Sequence, residues 1–101
     1  MIKMTILYGH PTDSVAFEEY YTKTHMPIAA KIKGYARFET TKFTGDTNGG
    51  KPVYYRMAEL WFSSPEAMQT TMGSPEGQAV AADLANYATG SATFLVGEVE
   101  E

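Results

Sequence analysis

Apolar residues along this chain switch from alternate spacing to helical spacing and back, twice over, and that rhythm restricts the possible folds more than any composition figure. Residues 2–9, IKMTILYG, set Ile2, Met4, Ile6 and Tyr8 on one side at every second position, the pattern of a half-buried strand. HPTD follows as turn chemistry with Asp13 or Thr12 as N-cap, and Phe17, Tyr20, Tyr21 and Thr24 then recur at helical spacing. After Gly34, the segments 35–43 and 52–62 are rich in β-branched and aromatic residues and flank the polar loop TGDTNGGK, which reads as a hairpin with a long connection. Two Ser-Pro-Glu helix starts come next, at Ser64 and Ser74, with Gly73 ending the first piece and Val80, Leu84 and Tyr87 on one face of the second. SATFLVGEVE closes the pattern as a fourth strand with Ala92, Phe94 and Val96 on one side.

The resulting order, β-α-β-β-α-β, predicts an α+β, ferredoxin-like fold: a four-stranded antiparallel sheet with both helices on one face, spanning residues 1–101 as a single domain. Helices on one face leave the other bare. The third strand carries large apolar groups on both sides, Tyr55, Met57 and Trp61 against Tyr54, Leu60 and Phe62. An apolar sheet face without its own cover predicts an isologous homodimer through that face.

Composition narrows the chemistry. A chain of 101 residues that is 44% hydrophobic can bury a core unaided, and the lack of cysteine excludes disulfides, thiolate metal sites and a cysteine nucleophile. A net charge of −4 repels phosphate backbones, so no nucleic-acid partner is expected. No window reaches membrane-spanning length and the N-terminal apolar run is too short for a secretory signal, so the expectation is a cytoplasmic protein with no membrane partner.

Gly45 to Lys51 has the spacing of a phosphate-binding loop, but Pro52 occupies the magnesium-ligand position and a strand, not a helix, follows; a solvated hairpin loop is the better reading. No pair of histidines falls at metal spacing, so no metal is expected, and the serines read as helix caps. Arg37, Glu39, Arg56 and Glu59 are expected to pair across the hairpin, and His10, in a turn beside Pro11, to face solvent. His25 stands out. Phe17, Tyr21 and His25 are spaced four apart, which sets the imidazole on the sheet-facing side, while Pro27 is expected to split the helix and leave His25 at the mouth of a new helical segment. Two readings remain open for it, a structural histidine bonding a freed carbonyl or a neutral imidazole serving as base, donor or axial ligand. Tyr8, Tyr20, Tyr21 and Trp61 are candidates to line a pocket beside it or to be plain core.

The stretches FEEYYTKTHMPIAAKIKGY and AELWFSSPEAMQTTMGSPEGQAVAADLANYA, with the terminal VGEV, resemble the EthD family, named for ethyl tert-butyl ether degradation. The resemblance spans nearly the whole chain and carries the family's aromatic-rich helix followed by His-x-Pro, here His25-Met26-Pro27. It implies the dimeric α+β barrel, in which two ferredoxin-like sheets face each other. It also implies that His25 lines a functional cleft; the first hypothesis is then a small hydrophobic ligand, aromatic or lactone-like, handled without a cofactor, with His25 as general acid/base and Tyr8, Tyr21 and Trp61 shaping the pocket. Isomerase, cyclase, decarboxylase-like and cofactor-independent oxygenase chemistries are all compatible with that fold. The alternatives are a non-catalytic ligand-binding accessory protein and a haem-binding barrel ligated through His25.

Overall fold

The computed structural model describes residues 1–100. Its strands are β1 (Ile2–Tyr8), β2 (Arg37–Lys42), β3 (Arg56–Phe62) and β4 (Ala92–Glu98). The first helical segment runs as α1 (Ser14–Tyr20), a π-helical turn (Tyr21–His25) and α2 (Met26–Ala29); the second as α3 (Pro65–Gly73), α4 (Pro75–Asp83) and a final 3-10 turn (Leu84–Asn86). All pairings are antiparallel and the sheet order is β2-β3-β1-β4, so the expected ferredoxin-like α+β arrangement is what forms.

Alternation in β1 and β3 builds the core. Ile6 lies opposite Ala58 and Met4 opposite Leu60, and these side chains pack with Tyr8 and Phe62 against Phe17, Tyr21 and Tyr87 from the helical layer. Each large apolar side chain so buried contributes about 1.5–3 kcal/mol. The helices leave β4 largely open: Phe94 shares the helix-facing side with Ile6 yet stays 43% exposed. The opposite face is mixed, with Trp61, Met57 and Leu7 among Lys3, Glu59 and Arg37. There the Arg37 guanidinium and the Lys3 ammonium lie 5.0 and 5.7 Å from the Trp61 ring.

Three expectations about the hairpin are corrected. Tyr55 does not share the open face with Met57 and Trp61; it precedes β3, donates its N–H to the Tyr8 carbonyl at 2.8 Å and meets Phe17 edge-on at 5.1 Å, inside the core. Arg56 turns toward the helices and bonds Glu18 of α1 at 2.5 Å, because a guanidinium near the core needs a carboxylate partner. Glu59 pairs instead with Lys3 across β1 and β3 at 3.0 Å, and Arg37 pairs with Glu39 along its own strand. The Gly45–Lys51 loop is the expected solvated turn, with Asp46 Oδ1 accepting from the amides of Asn48 and Gly50 at 2.8 Å each.

Pro27 does not break its helix. His25 and Met26 both keep right-handed helical torsions, and the Met26 N–H donates to the carbonyl of Tyr21, five residues back. A proline removes an amide and crowds the carbonyl four residues earlier, and one widened turn accommodates both. The same turn settles which face stays buried. Residues four apart drift by about 40° per step on an α-helix, so Phe17, Tyr21, His25 and Ala29 would spiral off the sheet; a wider turn recovers part of that drift. All four are buried.

Ser74 ends one helix and starts the next: its hydroxyl donates to the Thr71 carbonyl at 2.5 Å and accepts from the Gly77 amide at 3.1 Å. The corner closes tightly enough that a Cβ on Gly77 would sit 2.4 Å from the Thr71 carbonyl oxygen. This corner sets α4 at the angle that brings Asp83 over the first helix.

Candidate functional site

The π turn delivers His25, and α4 delivers its partner. His25 is 4% exposed, and its Nδ1 lies 2.9 Å from Asp83 Oδ2. Asp83 is held from two further directions, by the Tyr20 hydroxyl donating to Oδ1 at 2.7 Å and the Asn86 amide donating to the same oxygen at 3.1 Å. Burial pushes the Asp83 carboxyl up, but these three hydrogen bonds outweigh it and hold the group below its ordinary value. For His25 burial is the largest influence and lowers the imidazole; the Asp83 hydrogen bond and charge oppose it without reversing it. The ground state is thus a neutral imidazole against an ionised carboxylate. The cause is burial, not the helix N-terminus expected from the sequence, since no helix begins at Pro27.

An ionised carboxylate accepts only, so the His25 proton sits on Nδ1 and Nε2 carries the lone pair. Nε2 has no hydrogen-bond partner among the described residues. Aromatic rings fix the imidazole plane: Tyr21 stacks on it at 5.4 Å and Tyr87 lies at 4.6 Å. Beyond Tyr87, the hydroxyls of Tyr87 and Tyr8 meet at 2.7 Å, and the Arg56 guanidinium covers the Tyr21 ring at 4.5 Å. Burial raises the phenols of Tyr8, Tyr21 and Tyr87, so each stays protonated as a donor.

His25, Tyr8 and Tyr21 line one crevice between the helices and the sheet, and its other walls are apolar, including Ile6, Ala58, Leu60, Leu84 and Phe94. Of the sequence candidates the fold brings these three together. Trp61 is not with them: β3 turns it to the opposite sheet face, one residue out of phase with Leu60, so it does not line this crevice. His10 does not face solvent as expected; it is half-buried and bonds the Pro52 carbonyl at 2.7 Å, tying the end of β1 to the hairpin. The crevice is narrow. About 20 Å³ is wide enough for water, room for roughly one molecule, within about 430 Å³ of open space counted out to its mouth. The resting crevice admits neither a haem macrocycle nor a single aromatic ring unless its walls move. Among the described residues no three His, Asp or Glu side chains gather where a metal ion would sit.

Asp83 and Tyr87 were missed as site residues. Val80, Asp83 and Tyr87 are spaced three and four apart, so a carboxylate stands on the stripe that buries Val80 and Tyr87. A charge on a buried stripe is itself a signal that a partner waits across the interface.

Fold and site together define a ferredoxin-like α+β domain with a carboxylate-oriented histidine at an apolar crevice. The EthD domain matches residues 10–91, and the chain belongs to the EthD family. An uncharacterised 11.0 kDa protein from the thcB-thcC intergenic region of Rhodococcus erythropolis is 39% identical over 100 residues, covering 99% of this chain and 96% of that protein. An EthD family protein from Bacillus halodurans superposes with a TM-score of 0.91 at 33% identity, covering 99% of both chains. A cofactor-independent oxygenase from Streptomyces nogalater shares the fold alone, with a TM-score of 0.64 at 12% identity over 99% of this chain and 92% of that one.

Proposed function

We propose that this EthD-family protein binds a small hydrophobic compound, aromatic or lactone-like, in the His25 crevice and transforms it by proton transfer, with Nε2 of His25 as general base and then acid. The observation that carries the reading is the bond from His25 Nδ1 to Asp83 at 2.9 Å, which leaves Nε2 with its lone pair free beside a largely apolar crevice. Asp83 fixes the tautomer and stabilises the imidazolium that forms. A positioned base of this kind accelerates proton transfer by about a hundredfold to ten-thousandfold. Tyr8 and Tyr21 shape the pocket. Entry is at the uncovered β4 side, where Phe94 is half exposed at the mouth, and a ligand must displace such side chains because the resting crevice holds about one water. The protein works in the cytoplasm as a homodimer through the open sheet face, where Trp61, Met57, Leu7 and Leu95 supply apolar area; no helix among the described residues is long and apolar enough to cross a membrane.

The narrowness of the crevice favours one competing reading, an accessory protein that holds a ligand without transforming it. Incubation with small ketones and lactones in deuterated water separates the two. Exchange of α-protons is expected with the native protein and is lost in His25→Gln; ligand-dependent thermal stabilisation with no exchange in either protein assigns binding alone.

A further inference from the structure

The crevice holds a base, and Tyr8 on its wall, backed by Tyr87, supplies the hydrogen-bond donor that a base needs as its counterpart. The hydroxyls of Tyr8 and Tyr87 are 2.7 Å apart, buried, and bonded to no third group among the described residues. Two hydroxyl protons share one hydrogen bond, so one proton is left over. Tyr8 lines the crevice with His25, whereas Tyr87 lines the outer groove beside Thr12 and Asn86. An oxygen entering the crevice therefore selects the arrangement in which Tyr87 donates to Tyr8 and Tyr8 donates to the newcomer.

The geometry points to Tyr8 as an oxyanion donor, positioned by Tyr87, and to the substrate class as enolisable conjugated ketones or lactones whose carbonyl oxygen bonds the Tyr8 hydroxyl. This deepens the function proposed above and rests on its base role for His25. In the step, Nε2 takes the α-proton, the C–H electron pair becomes the new C=C bond, and the carbonyl π pair moves onto oxygen, where Tyr8 holds it. The imidazolium returns its proton to carbon, so no oxidant, reductant or further reactant is consumed. The donor is in place before charge develops, and burial raises its pKa so that it stays protonated throughout.

Para-substituted phenols test this, because a phenolate carries the charge of an enolate oxygen on a planar apolar body and needs no base to bind. Calorimetric titration of the native protein should show saturable binding. Tyr8→Phe should weaken it about tenfold to a hundredfold, the range for a hydrogen bond to a charged oxygen, and Tyr87→Phe by about threefold. Loss of α-proton exchange in His25→Gln is read in a separate assay, which distinguishes this proposal from the one for His25. Native affinity in Tyr8→Phe overturns the proposal, as does the absence of any phenol binding to the native protein, and in either case α-proton exchange still decides the role of His25. If Tyr8→Phe does not fold, the native complex decides. A tyrosine hydroxyl resonance moving downfield on phenol binding, and less so in Tyr87→Phe, is expected; an unmoved hydroxyl spectrum refutes the assignment.

Discussion

Replacing Asp83 with alanine tests whether the buried carboxylate orients the site. Three donors converge on it, Tyr20 at 2.7 Å, His25 at 2.9 Å and Asn86 at 3.1 Å. Tyr20 and Asn86 have some access to solvent and recover part of their hydrogen bonding in water, whereas the His25 Nδ1–H, on a side chain 4% exposed, is stranded. A stranded buried donor costs about 1–3 kcal/mol, and the lost charge-assisted bonds add to it; the relief of no longer burying a carboxylate offsets part, leaving a net loss of about 2–4 kcal/mol. For a domain of this size that is on the order of 10–20 °C in Tm. Circular dichroism melts at pH 7 measure it, with Asp83→Asn as the companion that keeps a polar group in place and loses less. The same variant also moves His25. The Asp83 bond and charge raise its pKa against the larger effect of burial, so removing them lowers it further, read from the imidazole Hε1 resonance across pH. A melting temperature within about 2 °C of native, or a His25 pKa that rises, would refute the reasoning.

Further expectations concern pH, packing and assembly. Tyr8, Tyr21 and Tyr87 have folded-state pKa values above the ordinary 10.0, so the folded state keeps protons that the unfolded chain loses; stability is intact below pH 10 and falls as pH rises beyond it. His25 has the opposite sign: its folded pKa lies below 6.5, so the unfolded chain binds the proton first and stability falls as pH drops under 6.5. Urea titrations from pH 5 to 11 should therefore show a plateau between those limits, and a flat profile above pH 10 contradicts the burial of the phenols. Gly77→Ala drives a Cβ to 2.4 Å from the Thr71 carbonyl oxygen and 2.7 Å from the Met72 Cα, both backbone, and is expected to destabilise by about 2 kcal/mol or more in denaturant titration. If the native chain forms the proposed homodimer through the open sheet face, Met57→Arg, which adds an unpartnered charge there, should sediment as monomers where the native chain sediments as dimers, with melting behaviour otherwise close to native; a native chain that sediments as a monomer contradicts the proposed dimer.

Much of the fold could be read because it is written locally. The serines at 64 and 74 accept from the amides of Ala67 and Gly77, as Ser-Pro-Glu starts should, and the alternation in β1 fixes which side of the sheet the helices cover. Local rules fail where they meet a tertiary demand. Pro27 reads as a break by its own chemistry, yet keeping Tyr21, His25 and Ala29 against the sheet is worth more than the lost hydrogen bond, and a π turn reconciles them. Alternation sets Tyr55 on one side with Met57 and Trp61, which holds for Trp61 and fails at Tyr55 because the strand begins one residue later; nothing in the alternation puts Trp61 beside His25. The Asp83 partnership spans 58 residues and no local pattern specifies it, although the charge on a buried stripe announces that some partner exists.

The central claim is that His25 presents a bare Nε2 to the crevice because Asp83 takes the proton on Nδ1. Nitrogen-15 correlation spectroscopy of the imidazole at pH 7.5 reads the tautomer directly. The expected result is a neutral ring protonated at Nδ1, with an unprotonated Nε2. A ring protonated at Nε2, or an imidazolium at that pH, would contradict it.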